Sequence, residues 1–293
     1  MTDLPADVDD LAAALDTAGY LVDDALATAL FLAVRLRQPI LLEGEPGVGK
    51  TGAATALAAT LDAPLLRLQC YEGLTAAEAI YEWNYPRQLL AIRLAETRGE
   101  RLADADLFTD EFLLPRPLLA AVTHPGPGPA VLLVDEVDRA DDEFEAFLFE
   151  VLAEQAVTIP ELGTRRATVA PVVVLTSNRT RDLHDALKRR CLYHWIAHPG
   201  PARVAEIIRR RVPEAADWLA PRVAGAVQRL RGLQLQKQPG VAEAISWTRA
   251  LQALGVAELD ERAADRTLGA VLKYDEDARL ARAAGLSDLV RGA

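Results

Sequence analysis

The stretch Leu41 to Thr51, LLEGEPGVGKT, constrains this chain more than any other. It reads as a short apolar strand, Pro39 to Leu42, followed by Gly44-Glu45-Pro46-Gly47-Val48-Gly49-Lys50-Thr51-Gly52 and then an alanine-rich run that must be helical, to about Leu61. Strand, glycine-rich loop and helix in that order form a phosphate-binding loop. Its glycines let backbone N–H groups turn inward around a phosphate, and the helix opening at Lys50 adds the positive end of its dipole. Lys50 supplies a point charge for the β and γ phosphates of a nucleotide, and the Thr51 hydroxyl is a Mg²⁺ ligand. A nucleotide and Mg²⁺ are therefore the expected ligand and cofactor.

The chain has 293 residues, enough for one large or two ordinary domains. Its net charge of −11 argues against a duplex DNA groove as main partner, because non-specific nucleic-acid affinity comes largely from neutralised phosphates. The start, MTDLPADVDD, is acidic and lacks a signal pattern, and no apolar run approaches a membrane span, which makes the cytoplasm the expected location. Two cysteines, Cys70 and Cys191, are too few for a disulfide framework and suit a reducing compartment.

Two early helices are expected, capped by Asp9 or Asp10 and by Asp23 or Asp24. Leu26, Leu30 and Val34 make one face of the second apolar. Leu65 to Gln69 reads as a strand. The following CYEGLTAAEAIYEWNYPRQLLAIRLAE concentrates Tyr71, Tyr81, Trp83 and Tyr85 in a chain poor in aromatics. It reads either as a packed helix–loop–helix or as a loop that grips a partner.

The second decisive stretch is AVLLVDEVDRAD. Val131 to Val134 is continuously apolar, as strands of a parallel sheet covered on both faces are. It ends in Asp135-Glu136, where ligands bind in an open α/β sheet. Asp135 can orient hydrated Mg²⁺, and Glu136 is positioned to polarise the attacking water. A helix over Asp141 to Glu154 and a hairpin turning around Gly163 follow. Then comes a buried strand, Pro171 to Thr176, that ends in Ser177-Asn178. Asn178 sits beside Asp135 if the two strands are neighbours, either bonding a γ-phosphate or attacking water or serving as an ordinary turn residue. A short helix with a basic end, Lys188-Arg189-Arg190, leads to a last strand near Tyr193 to Ala197. Cys191, His194 and His198 have metal-like spacing, but Cys191 precedes the strand and no fourth ligand follows, so they are not assigned a metal. Beyond Pro199-Gly200-Pro201 the residues are helical, with breaks at Pro213, Gln238-Pro239-Gly240 and Gly255, as in a small bundle.

LLEGEPGVGKT, VLLVDEVDRAD, the strand ending LTSN and the arginines of ALKRRC together resemble AAA+ ATPases, and the hairpin before LTSN resembles the one marking their helix-2-insert branch. Within these the chain is similar to the MoxR family. RLQCYEGL and YEWNYPRQLL are similar to the subgroup associated with maturing molybdenum-containing aerobic carbon monoxide dehydrogenase. The resemblance implies an α/β P-loop NTPase domain over residues 1–198, with a parallel sheet flanked by helices, and a small all-α lid over 199–293. It further implies ATP hydrolysis in a homo-oligomeric ring, a hexamer, with a von Willebrand factor A domain partner and a metalloenzyme client. By position Asn178 matches the first sensor, Arg190 the arginine finger with Arg189 as the adjacent alternative, and Arg249 the second sensor, where Thr248 replaces the usual proline. Alternatively, Arg249 forms an ion pair on the lid surface. The competing functions are a nucleic-acid motor of the related helicase branch and a nucleotide-dependent scaffold; the acidic composition disfavours the first and Glu136 the second.

Overall fold

The computed structural model describes residues 4–291, so the outermost residues of both expected domains lie outside the described residues. The chain divides into two compact units. One comprises the residues up to Glu43 together with Thr51–Trp195, the other Gly44–Lys50 together with the residues from Ile196 on.

The first unit is built on a five-stranded sheet of β1 (Ile40–Glu43), β2 (Leu65–Gln69), β5 (Val131–Asp135), β8 (Val172–Ser177) and β9 (Leu192–Trp195) in the order β2-β5-β8-β1-β9. Every pairing is parallel. The three central strands are buried along their whole length, which is why their sequences are apolar up to the polar residues at their carboxyl ends, whereas edge strands β2 and β9 are partly exposed. Parallel pairing puts the carboxyl ends of β1, β5 and β8 on one edge, where Glu43 pairs with Ser177 and Gln69 with Asp135. Helices Val8–Thr17 and Asp24–Leu36 precede the sheet. Asp7 caps the first, instead of the expected Asp9 or Asp10, and Asp23 the second through a 2.8 Å bond from the Leu26 N–H.

Between β2 and β5 lies an insertion: helix Ala76–Ile80, β3 (Tyr81–Trp83), helix Tyr85–Thr97, helix Asp104–Leu107, β4 (Leu113–Pro115) antiparallel to β3, and helix Pro117–Val122. Thr75 and Glu78 cap its first helix reciprocally, and Pro86 sits in the first turn of Tyr85–Thr97, where its missing N–H costs nothing. Helix Asp142–Glu154 follows β5 and buries Phe144, Leu148 and Val151. Next, β6 (Ala156–Ile159) and β7 (Gly163–Arg166) form the expected hairpin. Its turn is Pro160–Leu162, and Gly163, at φ +79°, closes it.

The second unit is helical: Pro201–Arg211, Leu219–Arg231, Val241–Ala253, Glu261–Val271, Asp275–Ala283 and Leu286–Val290. Ile208, Val223, Val227, Leu230 and Leu251 pack around Trp247, 1% exposed, whose indole N–H donates to the Thr267 hydroxyl at 2.7 Å. That single polar bond makes full burial of the indole tolerable. The expected breaks occur between these helices, with Gly255 at φ +60° following Val241–Ala253.

Candidate functional site

In the second unit the loop Gly44–Lys50 has the backbone that its glycines allow. Gly47 and Gly49 take φ +82° and +104°, a region that strains other residues, and a Cβ on Gly44 would lie 2.4 Å from the Ile196 carbonyl oxygen. Glu45 and Pro46 are exposed and Val48 is buried. Lys50, 7% exposed, donates from Nζ to the carbonyls of Gly44 at 2.7 Å and Glu45 at 2.9 Å. This loop also meets the start of helix Val241–Ala253. The Val241 N–H donates to the Gly47 carbonyl at 3.0 Å, and a Cβ on Gly240 would stand 2.9 Å from Gly47 Cα. Glu243 accepts from the Gly240 N–H at 2.9 Å. Gly240 looks like a helix breaker in the sequence; its contact with another glycine far away in the chain has no local signal.

In the first unit, Gly52 lies in the opening turn of the helix beside the Tyr20 ring, and Thr51 faces β5. Its hydroxyl donates to both oxygens of Asp135, at 3.1 and 3.3 Å. Asp135 is 3% exposed and also accepts from the Thr176 hydroxyl and, at 2.5 Å, from Arg67 Nη2. The Thr176 hydroxyl in turn accepts from the Glu136 N–H at 2.9 Å. This bond holds Glu136 at φ +54°, a left-handed conformation that costs a non-glycine residue about 1–2 kcal/mol. The Glu136 carboxylate, a third exposed, accepts from Gln69 Nε2 at 3.1 Å and Arg139 Nη1 at 3.0 Å. The two acids therefore differ sharply: Asp135 is buried among hydroxyls and one guanidinium, and Glu136 is held only at its rim.

β5 and β8 are neighbours, as the placement of Asn178 requires. The Asn178 N–H donates to Asp138, which also takes the N–H and hydroxyl of Thr180 and is 2% exposed. Asp138 thus ties the end of β8 to the turn after β5. Sequence reading missed Asp138, Thr176, Arg67 and Gln69; only Asp138 had a visible signal, as an acid close behind the Asp135-Glu136 pair.

Arg189 and Arg190 are both exposed after the short helix Asp185–Lys188. The Arg190 guanidinium lies over the Phe149 ring, 4.4 Å from its centre, and its carbonyl accepts from Gln38 at 3.1 Å. Arg181 anchors the preceding turn by pairing with Glu145, 1% exposed, and donating to the Ala140 carbonyl; Glu145 also accepts the His184 N–H at 2.8 Å. Arg249 is exposed and makes a 3.4 Å contact with the Arg211 carbonyl. Its helix starts at Val241, about two turns earlier, so Thr248 is interior: it is fully buried and its hydroxyl bonds the Ala244 carbonyl. A proline there would remove a backbone donor and break this helix.

The aromatic cluster separates into two parts. Trp83 is 7% exposed and packs edge-on against Tyr81 and Phe108 with ring centres 5.7 and 5.1 Å away, so it is core and cannot grip anything. Tyr71 and Tyr85 are exposed. Burial pushes the Cys70 thiol up to about 12, with the negative charges of Asp135 and Asp138 adding to it, and burial alone does the same to Cys191. Neither is a nucleophile near neutral pH. Among the described residues no group of three His, Cys, Asp or Glu side chains is arranged to hold a metal ion.

The sequence pattern of the AAA domain, dynein-related subfamily, matches residues 39–191, more than half of the chain and the span from just before β1 to just before β9. The chain belongs to the AAA domain family. Among curated proteins this AAA domain is similar to Protein NorQ of Paracoccus denitrificans (strain Pd 1222), 25% identical over 208 residues that cover 68% of each chain. Among solved structures it is similar to two mutant forms of RuvB from Thermotoga maritima, with TM-scores of 0.53 and 0.51 at 16% identity, covering 94% of this chain and 75% and 74% of those. At that identity the likeness is one of fold. As an AAA+ P-loop NTPase the protein is an ATP hydrolase. No helix among the described residues is long and apolar enough to cross a membrane.

Proposed function

We propose that this AAA domain is a MoxR-type ring ATPase that uses ATP hydrolysis to remodel a metalloenzyme client during maturation. The client is a molybdenum-containing carbon monoxide dehydrogenase, presented by a von Willebrand factor A domain partner. The observation that carries the hydrolytic part is the division of labour at the end of β5. Asp135 is buried and held by Thr51 and Thr176, while Glu136 is turned by its left-handed backbone to a rim where it can reach water. Thr51 and Asp135 offer only oxygen donors, the set that suits Mg²⁺, and they would hold it. Bound there with ATP, that ion would neutralise phosphate charge.

The chain's own residues supply the rest. Lys50, the residue before Thr51, turns from loop carbonyls to phosphate oxygens, and the Gly44–Lys50 backbone presents its N–H groups to them. Glu136 polarises the attacking water and Asn178 orients it. Arg190 is the finger supplied to a neighbouring subunit, its stacking on Phe149 favouring it over Arg189 by fixing its direction. Arg249 takes the second-sensor contact, giving up its long bond to Arg211.

The client assignment is supported by RLQCYEGL and YEWNYPRQLL, and by the exposed Tyr71 and Tyr85, which offer apolar contact with little side-chain entropy to lose. A Glu136→Gln protein should bind ATP without cleaving it. Used as bait, it should retain the molybdenum enzyme and the von Willebrand factor A partner in an ATP-dependent manner. Undiminished turnover in Glu136→Gln would sink the catalytic assignment, and strong stimulation of the wild type by single-stranded DNA would replace the maturation reading with a nucleic-acid motor.

A further inference from the structure

Arg67 sits on edge strand β2, two residues before Gln69, so both side chains project from the same face of the strand. The paired strand β5 ends in Asp135, with Glu136 next in the chain, and the β2 side chains reach one acid each. Arg67 Nη2 is 2.5 Å from Asp135 Oδ2, and Gln69 Nε2 is 3.1 Å from Glu136 Oε2. The two are joined, because the same Arg67 nitrogen donates to Gln69 Oε1 at 2.6 Å. All these residues belong to the first unit.

The carboxylate is nearly inaccessible while the guanidinium is about half exposed, at 4% and 52%. That asymmetry matters. A buried carboxylate gains most from a cation at hand, and a half-exposed arginine can swing into water at small cost. A guanidinium also stays charged at any working pH. Its charge repels a divalent cation, so a guanidinium held against this carboxylate weakens the carboxylate's hold on the metal.

We propose that Arg67 is the resident counter-ion of Asp135, that it competes with the divalent metal for this carboxylate and so sets the Mg²⁺ concentration at which the nucleotide site loads. Through Gln69, departure of Arg67 also loosens the hold on Glu136. The proposal rests on Asp135 being the metal-holding acid. An ion pair that only closed the sheet edge would affect stability and leave metal affinity alone.

Electron paramagnetic resonance of Mn²⁺ with the full chain and ADP separates these. Arg67→Met keeps the apolar stem and removes the charge; it should bind Mn²⁺ about three- to tenfold more tightly than wild type. Arg67→Lys keeps a cation and should stay within about twofold. ADP affinity measured in EDTA should be the same in all three, because the competition exists only for metal. Arg67→Gln substitutes for Arg67→Met if the latter fails to fold. Unchanged or weaker Mn²⁺ affinity in Arg67→Met, alongside a clear loss in Asp135→Asn, overturns the role of Arg67 alone. Undiminished Mn²⁺ affinity in Asp135→Asn removes the metal assignment beneath it and overturns both.

Discussion

Thr176 is the residue whose loss should test the catalytic geometry most directly. Its hydroxyl is fully buried, donates to Asp135 and accepts the Glu136 N–H at 2.9 Å. Thr176→Val keeps the shape and removes both bonds. Losing a hydrogen bond to a charged group costs about 1.5–3 kcal/mol, and a buried N–H left without a partner costs about 1–3 kcal/mol. Asp135 keeps Thr51 and Arg67, so these do not add in full, and about 2–4 kcal/mol of stability should go. The second effect is on rate. Without its tether, the left-handed backbone of Glu136 is free to relax by about 1–2 kcal/mol, which leaves the productive arrangement in roughly one molecule in ten. Turnover at saturating ATP should fall about tenfold on this account while ATP affinity changes little. Thr176→Ser retains the hydroxyl and should stay within about 1 kcal/mol and twofold of wild type. Urea unfolding and steady-state hydrolysis measure both. A Thr176→Val protein with wild-type stability and turnover would refute the view that this hydroxyl organises the two acids.

Three further outcomes are expected. Trp83→Ala should cost about 3–5 kcal/mol in a denaturation assay, because it empties a packed site, whereas Tyr71→Ala should stay within about 0.5 kcal/mol; equal effects would contradict the division between core and surface aromatics. Arg190→Ala and Lys50→Ala proteins, each nearly inactive, should regain activity when mixed if the finger acts in trans, and no recovery in rings shown to be mixed points to Arg189 or to an unshared site. His198 is held down to about 4 from its ordinary 6.5, by burial first and by the Arg231 charge second. A depressed histidine is neutral when folded, so the unfolded chain binds the extra proton and stability should fall as pH drops from 6.5 towards 4. His198→Gln should flatten that part of the stability profile measured by urea unfolding, and an unchanged slope would assign it to other groups.

The stretches legible in the sequence are those whose physics is local. The loop backbone follows from glycines that can take positive φ, the central strands from apolar runs that only a sheet covered on both faces can hide, and several helix starts from aspartates whose carboxylates accept an N–H of the first turn. Lys50, Thr51, Asp135 and Glu136 were readable for that reason. What sequence could not supply is which side chains meet across strands far apart in the chain. Thr176 looks like the end of an apolar strand, and becomes the link between Asp135 and Glu136 only because β8 lies beside β5. Arg67 and Gln69 look like solvent-facing residues of an edge strand until β2 is paired with β5 in register. The same holds for Trp83, whose burial depends on Phe108 arriving from just beyond helix Asp104–Leu107, and for the contact between Gly240 and Gly47. Backbone preference is a property of neighbours in the chain and can be read there; the partner of a buried polar or aromatic group is a property of packing, and only the tertiary structure decides it.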